Sequence, residues 1–557
     1  MRLALVLLLV ACGHPAAGLE SGPRAPRLQP PAVIDPARPD ATYLTSIALQ
    51  LQPGWGQFLD DCRLRLPADH ALNRMTLAAT AELTLDRTGT LVAVSLVTPS
   101  GNADFDRAVK DAIAELRGFG APPRDALSDD DHVYLRWLFA RDRRQAGPVT
   151  AAIEHRELPI DQAVARFIAA HDLSRAARRI ASAKPPAAIT DVMTAALREG
   201  LASVDGSVQR AAVEAVVASH ATSLAPDVRM LLETADRDLR LAAIAAAGQL
   251  DDRAAIATLS AQLARDLAEE RAFALAEAAA LAKLGRADTV AVAVGKVLPN
   301  PIALEVFSRA PAAAQLGQVV AAVEHGSAET RVAACAGLAG VAVPAAIAAV
   351  GKGLRDADAS VRAACVAAVT ETAASAPKLP KLVAALASRV VALQHDRDRA
   401  VRANAVIATS LVDPAHLDRA IDDPAAEVRG AYAHALGYAG AWEPGLRTLV
   451  EDRDAEVRAA AWSAYAVRGV PAGLRSGIGD PSPDVRRAAI TTTRDNDALR
   501  RLVTSDDAPD VRTAALAELA HRLGRDAIAA TLLEAFAATR PASADRVRIA
   551  RAWLLAP

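Results

Sequence analysis

The chain has few aromatic residues: 5 Trp, 5 Tyr and 8 Phe make up 3% of 557 residues. A core without rings must be filled by small side chains, and roughly a quarter of the residues are Ala, which suits closely packed helices. Neither charge sign is in excess, since 63 Lys and Arg against 65 Asp and Glu leave −2. There is no global basic field to hold a phosphate backbone, which excludes nucleic acid as the main partner. Hydrophobic residues at 52% and charged residues at 23% exclude wholesale disorder. Beyond residue 12 no uncharged run has the length and bulk of a spanning helix. The stretch 332–353 comes nearest, and its Gly residues, Pro344 and Lys352 mark it as a helix pair of a soluble array. At about 150 residues per domain, the length allows three to four domains or one long repetitive array.

Motifs of chemistry are also scarce. The 11 His are scattered, with no His-Glu-x-x-His, no Cys-x-x-Cys, no Gly-x-Ser-x-Gly elbow and no P-loop around Gly351-Lys352-Gly353. Asp129-Asp130-Asp131-His132 has the composition of a hard-metal site, but it precedes a strand and reads as a solvated loop. The expectation is a protein without catalytic residues, resident metal or cofactor.

At the N-terminus Met1-Arg2 is followed by the apolar run Leu3 to Val10, then Ala11 and Cys12. About ten apolar residues are half of what crosses a bilayer, so the segment reads as a signal peptide. Leu9-Val10-Ala11-Cys12 resembles the bacterial lipobox. That resemblance implies diacylation of Cys12, with Gly13 after it slightly favouring the outer membrane over the inner. Pro23, Pro26, Pro30, Pro31, Pro36 and Pro39 make residues 13–40 a short extended tether. In an oxidising compartment Cys62, Cys335 and Cys365 are an odd number. Cys335 and Cys365 fall in adjacent repeats at non-equivalent positions, so two buried thiols are expected in preference to a disulfide.

Residues 41–145 change periodicity several times. Residues 43–60 read as a helix interrupted near Pro53 and Gly54. Leu77 to Leu85 alternates with period two, Asp86-Arg87-Thr88-Gly89 is a turn, and Thr90 to Thr98 returns with Val92, Val94 and Leu96 on one face. Ser100 is placed to cap a helix carrying Phe105, Val109, Ala112, Ile113 and Leu116, and Val133, Leu135, Trp137 and Phe139 alternate in a last strand. The segment from Ser100 to Val109 resembles the opening of the second helix in TonB and TolA C-terminal domains, and Leu85 to Leu91, Pro122-Pro123 and Val133 to Asp142 follow the same pattern. The resemblance implies a periplasmic module that offers its last strand to a partner's extended segment. Val133, Tyr134, Leu135, Arg136, Trp137, Leu138 and Phe139 are the candidate contact residues, those facing inward serving the core. A lipobox and short tether stand where TonB has a membrane helix and long Pro-rich span, so the usual energy-coupling route is not expected.

From residue 158 to 557 a unit of about thirty residues recurs. Its signature is Val-Arg after an acidic or turn residue, followed by small residues: Arg362, Arg402, Arg429, Arg458, Arg486 and Arg512, with weaker copies at Arg210, Arg240, Arg271 and Arg331. The pattern resembles short HEAT repeats, including those of phycobilisome-lyase-like proteins, and implies an α-solenoid with an extended concave face. The repeated Arg reads as inter-repeat pairing with the acidic residues beside it, such as Asp484, Asp510 and Glu456. Tyr432, Tyr438, Trp442, Trp462 and Tyr465 concentrate aromatics locally. They read as core, with Tyr438 and Trp442 the candidate contact patch.

The fold class expected is therefore mainly α, a HEAT-like solenoid behind a small α+β TonB/TolA-like domain. Together the resemblances imply a lipid-anchored envelope scaffold that binds envelope or periplasmic proteins through a sheet edge and a solenoid face, and the charge-paired repeats and near-neutral balance point to a monomer. The alternatives are a TonB-like transport component and, remotely, a lyase-like or chaperone-like activity.

Overall fold

A computed structural model describes residues 33–556, apart from 117, 144–146, 182–185, 376–380, 440–441 and 470–476. The proposed acylation site Cys12 and most of the tether lie outside the described residues. The chain divides into two compact units, 1–163 and 164–557.

The first unit runs α1 (Ala41–Arg65), β1 (Ala78–Leu85), β2 (Leu91–Thr98), α2 (Ala103–Ala114), β3 (Val133–Ala140) and β4 (Ala152–Glu154). The four strands form one antiparallel sheet in the order β2-β1-β3-β4. Ala79, Ala81, Leu83 and Leu85 of β1 and Val133, Leu135, Trp137 and Phe139 of β3 turn inward. They pack against Leu44, Ile47, Leu51, Trp55 and Leu59 of α1 and Phe105, Val109 and Ile113 of α2. The β1–β2 turn is set by Asp86, whose Oδ1 accepts from the amides of Thr88 (2.8 Å) and Thr90 (2.9 Å). Gly89 there has φ 80° and lies against the Gly120 carbonyl, a contact no side chain could share.

Four expectations are corrected. α1 is continuous through Pro53 and Gly54. The cap of α2 is Asn102, whose side chain accepts from the amides of Asp104 and Phe105 (both 3.1 Å), while Ser100 donates its amide to Asp106. Val92 does not share a face with Val94 and Leu96. Register shifts beside Leu85 and Thr80 turn Leu91, Val94 and Leu96 to the core and leave Val92 exposed. Finally, the sheet continues past residue 145 to a three-residue strand, β4, too short to announce itself by alternation.

The second unit is built of helix pairs. In the clearest repeats the motif helices Ala359–Ala374, Arg399–Val412, Ala426–Leu436, Ala455–Arg468, Pro483–Ala489 and Pro509–Leu523 each pack on the next. Asp358, Asp398 and Asp454 cap three of them, accepting from amides of the first turn. Val361, Val401, Val428, Val457, Val485 and Val511, the residues before the motif Arg, are all fully buried. The array does not present two free ends. The last helix, Ala544–Leu555, packs on Pro186–Leu201 and Gly206–Ala218, and Arg525–Ala538 packs on Leu173–Ala181, so the end of the array closes onto its beginning. Cys335 and Cys365 form a disulfide between neighbouring motif helices, their Cα atoms 5.1 Å apart, against the expectation of free thiols. Gly353 lies directly against both sulfurs.

Candidate functional site

β3 has β1 on one side for its whole length, but on the other side β4 pairs only with Tyr134, Leu135 and Arg136. Among the described residues no strand pairs with the outer edge from Trp137 to Ala140. There the edge borders a cavity of about 630 Å³, lined among others by Leu49, Trp55, Trp137, Leu138, Phe139 and Pro148. Leu49 is exposed on α1, and its carbonyl lacks the usual amide partner four residues on because that residue is Pro53. This half-edge and groove are the part of the candidate strand open to a partner.

The structure sorts the seven candidate residues. Val133 and Leu135 are core, and Trp137 and Phe139 are buried with faces on the groove. Leu138 is the half-buried residue that points away from the core beside the groove. Tyr134 and Arg136 are engaged in a polar network on the outer face. The Tyr134 hydroxyl donates to Asp130 (2.6 Å) and Arg156 lies 3.6 Å over its ring, while Arg136 binds Glu154 (2.7 Å) and Arg156 binds Glu82 (2.6 Å). Burial, then the Asp130 carboxylate, pushes the Tyr134 hydroxyl up. So the expected edge is halved: β4 and its ion pairs close Tyr134–Arg136.

The Asp129–His132 loop is structural and less solvated than expected. Asp129 is buried and accepts from the Leu158 amide (2.9 Å), and Asp131 pairs with Arg87 (3.2 Å). No cluster of three metal-ligating side chains occurs among the described residues. Cys62 is buried and unpaired, and burial pushes its thiol up.

The repeated Arg builds a ladder, with partners other than those expected. Each guanidinium reaches forward to the Asp that opens the next repeat: Arg331 to Asp356, Arg362 to Asp396, Arg402 to Asp423, Arg429 to Asp452, Arg458 to Asp480 and Arg486 to Asp506, all through two bonds of 2.8 to 3.1 Å. From Arg362 on, Nη1 also donates to the carbonyl of its own repeat's opening Asp. The adjacent acids do other work, Asp484 binding Arg487 and Asp510 binding Arg548. The ladder is fully used within the array.

Tyr432, Trp462 and Tyr465 are buried, as core residues should be. Tyr438 is 57% exposed, and Trp442 is half-buried, edge-on to Tyr465 (5.7 Å) and beneath Arg468 (5.6 Å). Two features carry no signal in the sequence pattern. One is Arg546, buried in the last helix one residue before Val547-Arg548. The other is a buried acid pair, Asp266 and Glu277, on neighbouring helices.

Residues 43–136 match the family model described as TonB C terminal. No curated protein matches the chain. Among solved structures it is similar to an engineered protein at 18% identity, over 65% of this chain and 98% of that one, with a TM-score of 0.22. It is also similar to a mutant of Kap121p at 11% identity, over 70% of this chain and 49% of that one, with a TM-score of 0.27.

Proposed function

We propose, from a TonB-type module at residues 43–136 joined to an array of helix pairs, that this chain is a lipid-anchored scaffold on the periplasmic side of a bacterial membrane. It works by binding, as a monomer and without a cofactor, and holds envelope proteins through the open half of β3 and the surface of the array. The observation that carries this reading is the edge Trp137–Ala140, with which no described strand pairs, beside a groove lined by Leu49, Trp55 and Leu138 and rimmed by Asp60, Asp61 and Arg143, since an extended segment laid there gains main-chain bonds from the edge and side-chain burial from the groove. The ladder supports the same reading, because it spends the repeated charge on rigidity and leaves a stiff surface.

Two experiments test it in cells. Metabolic labelling with a fatty acid should mark the wild type and fail in Cys12→Ser, which should also leave the membrane fraction; labelling of the variant sinks the anchor. A photo-crosslinking residue at Leu138 should trap a discrete envelope protein, while one at Tyr134, closed by β4 and Arg156, should not. Equal yields at both positions would remove the sheet edge from the proposal. A captured outer-membrane receptor would identify the transport component instead of the scaffold.

A further inference from the structure

Where a ladder guanidinium meets a second carboxylate, as Arg486 meets Asp507, that acid is 88% exposed; between the helices Arg237–Gln249, Ile256–Glu269 and Arg271–Lys283 one guanidinium meets two buried ones. Arg240 Nη2 lies 2.8 Å from Asp266 Oδ2 and 3.1 Å from Glu277 Oε1. The Glu277 side chain is fully buried, that of Asp266 is 5% exposed and that of Arg240 14%. Glu277 Oε2 is out of water and no donor meets it, and the two carboxyl groups converge on the same Arg240 nitrogen. Two carboxylates cannot bond to each other unless one of them carries a proton.

We propose that Asp266 and Glu277 share one proton beneath Arg240, and that this proton clamps Arg271–Lys283 to its neighbours, so that the joint is tightest in acid and loosens as the proton leaves. With the proton in place the cluster is neutral: Glu277 donates to Asp266, and both accept from Arg240. Loss of the proton to solvent leaves two buried carboxylates against Arg240, with the largely exposed Arg265 as the second cation on Asp266.

The surrounding charges leave this balance in place. From Arg237–Gln249, Arg237 is taken by Glu270 (3.0 Å) at the surface. From Ile256–Glu269, Arg265 binds the other oxygen of Asp266 (3.0 Å) but is 60% exposed, and Glu269 adds a further negative charge. Beyond the pair, Glu305 is bound to Arg271 (2.7 Å), Asp288 pairs with Arg286 (3.5 Å), and Lys296 is exposed. The Phe273 ring, 3.9 Å from the Arg240 guanidinium, covers the cation. A cavity lined by Glu233, Arg240, Gln262 and Arg265 gives the proton a route to solvent. Burial first, and the Asp266 charge second, push Glu277 up to about 8 from its ordinary 4.5. A raised acid favours the closed joint below the ordinary value. Opening therefore becomes about tenfold easier per pH unit between about 4.5 and 8, then levels off.

The test is amide hydrogen exchange of the full chain from pH 5 to 9, corrected for intrinsic rates. Protection over 271–283 should fall about tenfold per pH unit up to about pH 8 in the wild type and stay flat in Glu277→Gln, which keeps a donor toward Asp266 at every pH. Protection over 455–468 is the control and should not follow Glu277. A flat wild type, or the same slope in Glu277→Gln, overturns the proposal. If that variant does not fold, difference infrared spectroscopy of the glutamate-labelled wild type decides: a buried protonated carboxyl band at neutral pH that disappears above 8 supports the shared proton, and no such band at pH 6 overturns it.

Discussion

At the scale of the residue, the ladder rungs hold buried charge in complementary pairs. Arg429 and Asp452 have side chains 5% and 10% exposed, and the guanidinium also holds the Asp423 carbonyl at 2.9 Å. Removing one partner strands the other, so Arg429→Met should cost about 3 kcal/mol in urea unfolding, and Arg429→Lys should recover little because an ammonium cannot make the two parallel bonds. The Arg429 hydrogen bonds hold the Asp452 carboxyl below its ordinary value, as the Arg331 bonds do for Asp356. A depressed acid contributes stability above its ordinary value of 3.8 and loses it as pH falls through the lower folded value. The ladder therefore weakens in strong acid, the opposite sign to Glu277, and the arginine variant should flatten the acid limb of the stability profile. Much of this was legible: a recurring Val-Arg names the buried Val and the paired Arg. The partner was not, because the acid next in sequence points away along the helix while the one that bonds is twenty to thirty-four residues on.

At the scale of the element, α1 shows where local signals mislead. Pro53 lies inside a 25-residue helix that the sequence pattern would break there, and it is held because Leu44, Ile47, Leu51, Trp55 and Leu59 stay on one buried stripe through it. A proline in a helix interior costs about 3 kcal/mol, so Pro53→Ala should raise the melting temperature of the full chain. If the Leu49 carbonyl serves the groove, the same change should weaken crosslinking from Leu138, and unchanged crosslinking would separate the helix from the binding edge. β1, β3 and α2 were legible because each has one wet and one dry face. β4 was not, since three residues held by pairing, Arg136–Glu154 and Arg156–Glu82 carry no periodicity.

At the scale of the second unit, the closing contact decides how the array unfolds. An open solenoid frays from its ends, because terminal repeats have one neighbour instead of two. Here Arg546, whose side chain is 1% exposed, binds Glu199 (3.1 Å), Ser174 (2.6 Å) and the Thr539 carbonyl (3.0 Å), and Trp553 donates to Thr190 (3.3 Å). Gly200 leaves room for Val547, which a side chain there would strike. Repeat periodicity says that neighbours stack, but it is silent on whether the last repeat meets the first, since curvature accumulates from rotations too small to read from any one unit. Arg546→Ala should leave the half-buried Glu199 without its cation and the Thr539 carbonyl without its donor, and cost about 2 kcal/mol. The diagnostic result is spatial: limited proteolysis should open 160–201, some 350 residues away in sequence, before any repeat between Arg331 and Arg512. Cleavage that begins instead near residue 546 and spares 160–201 would mean that the two ends are held independently, and that the seam does not bear on the array's cooperativity.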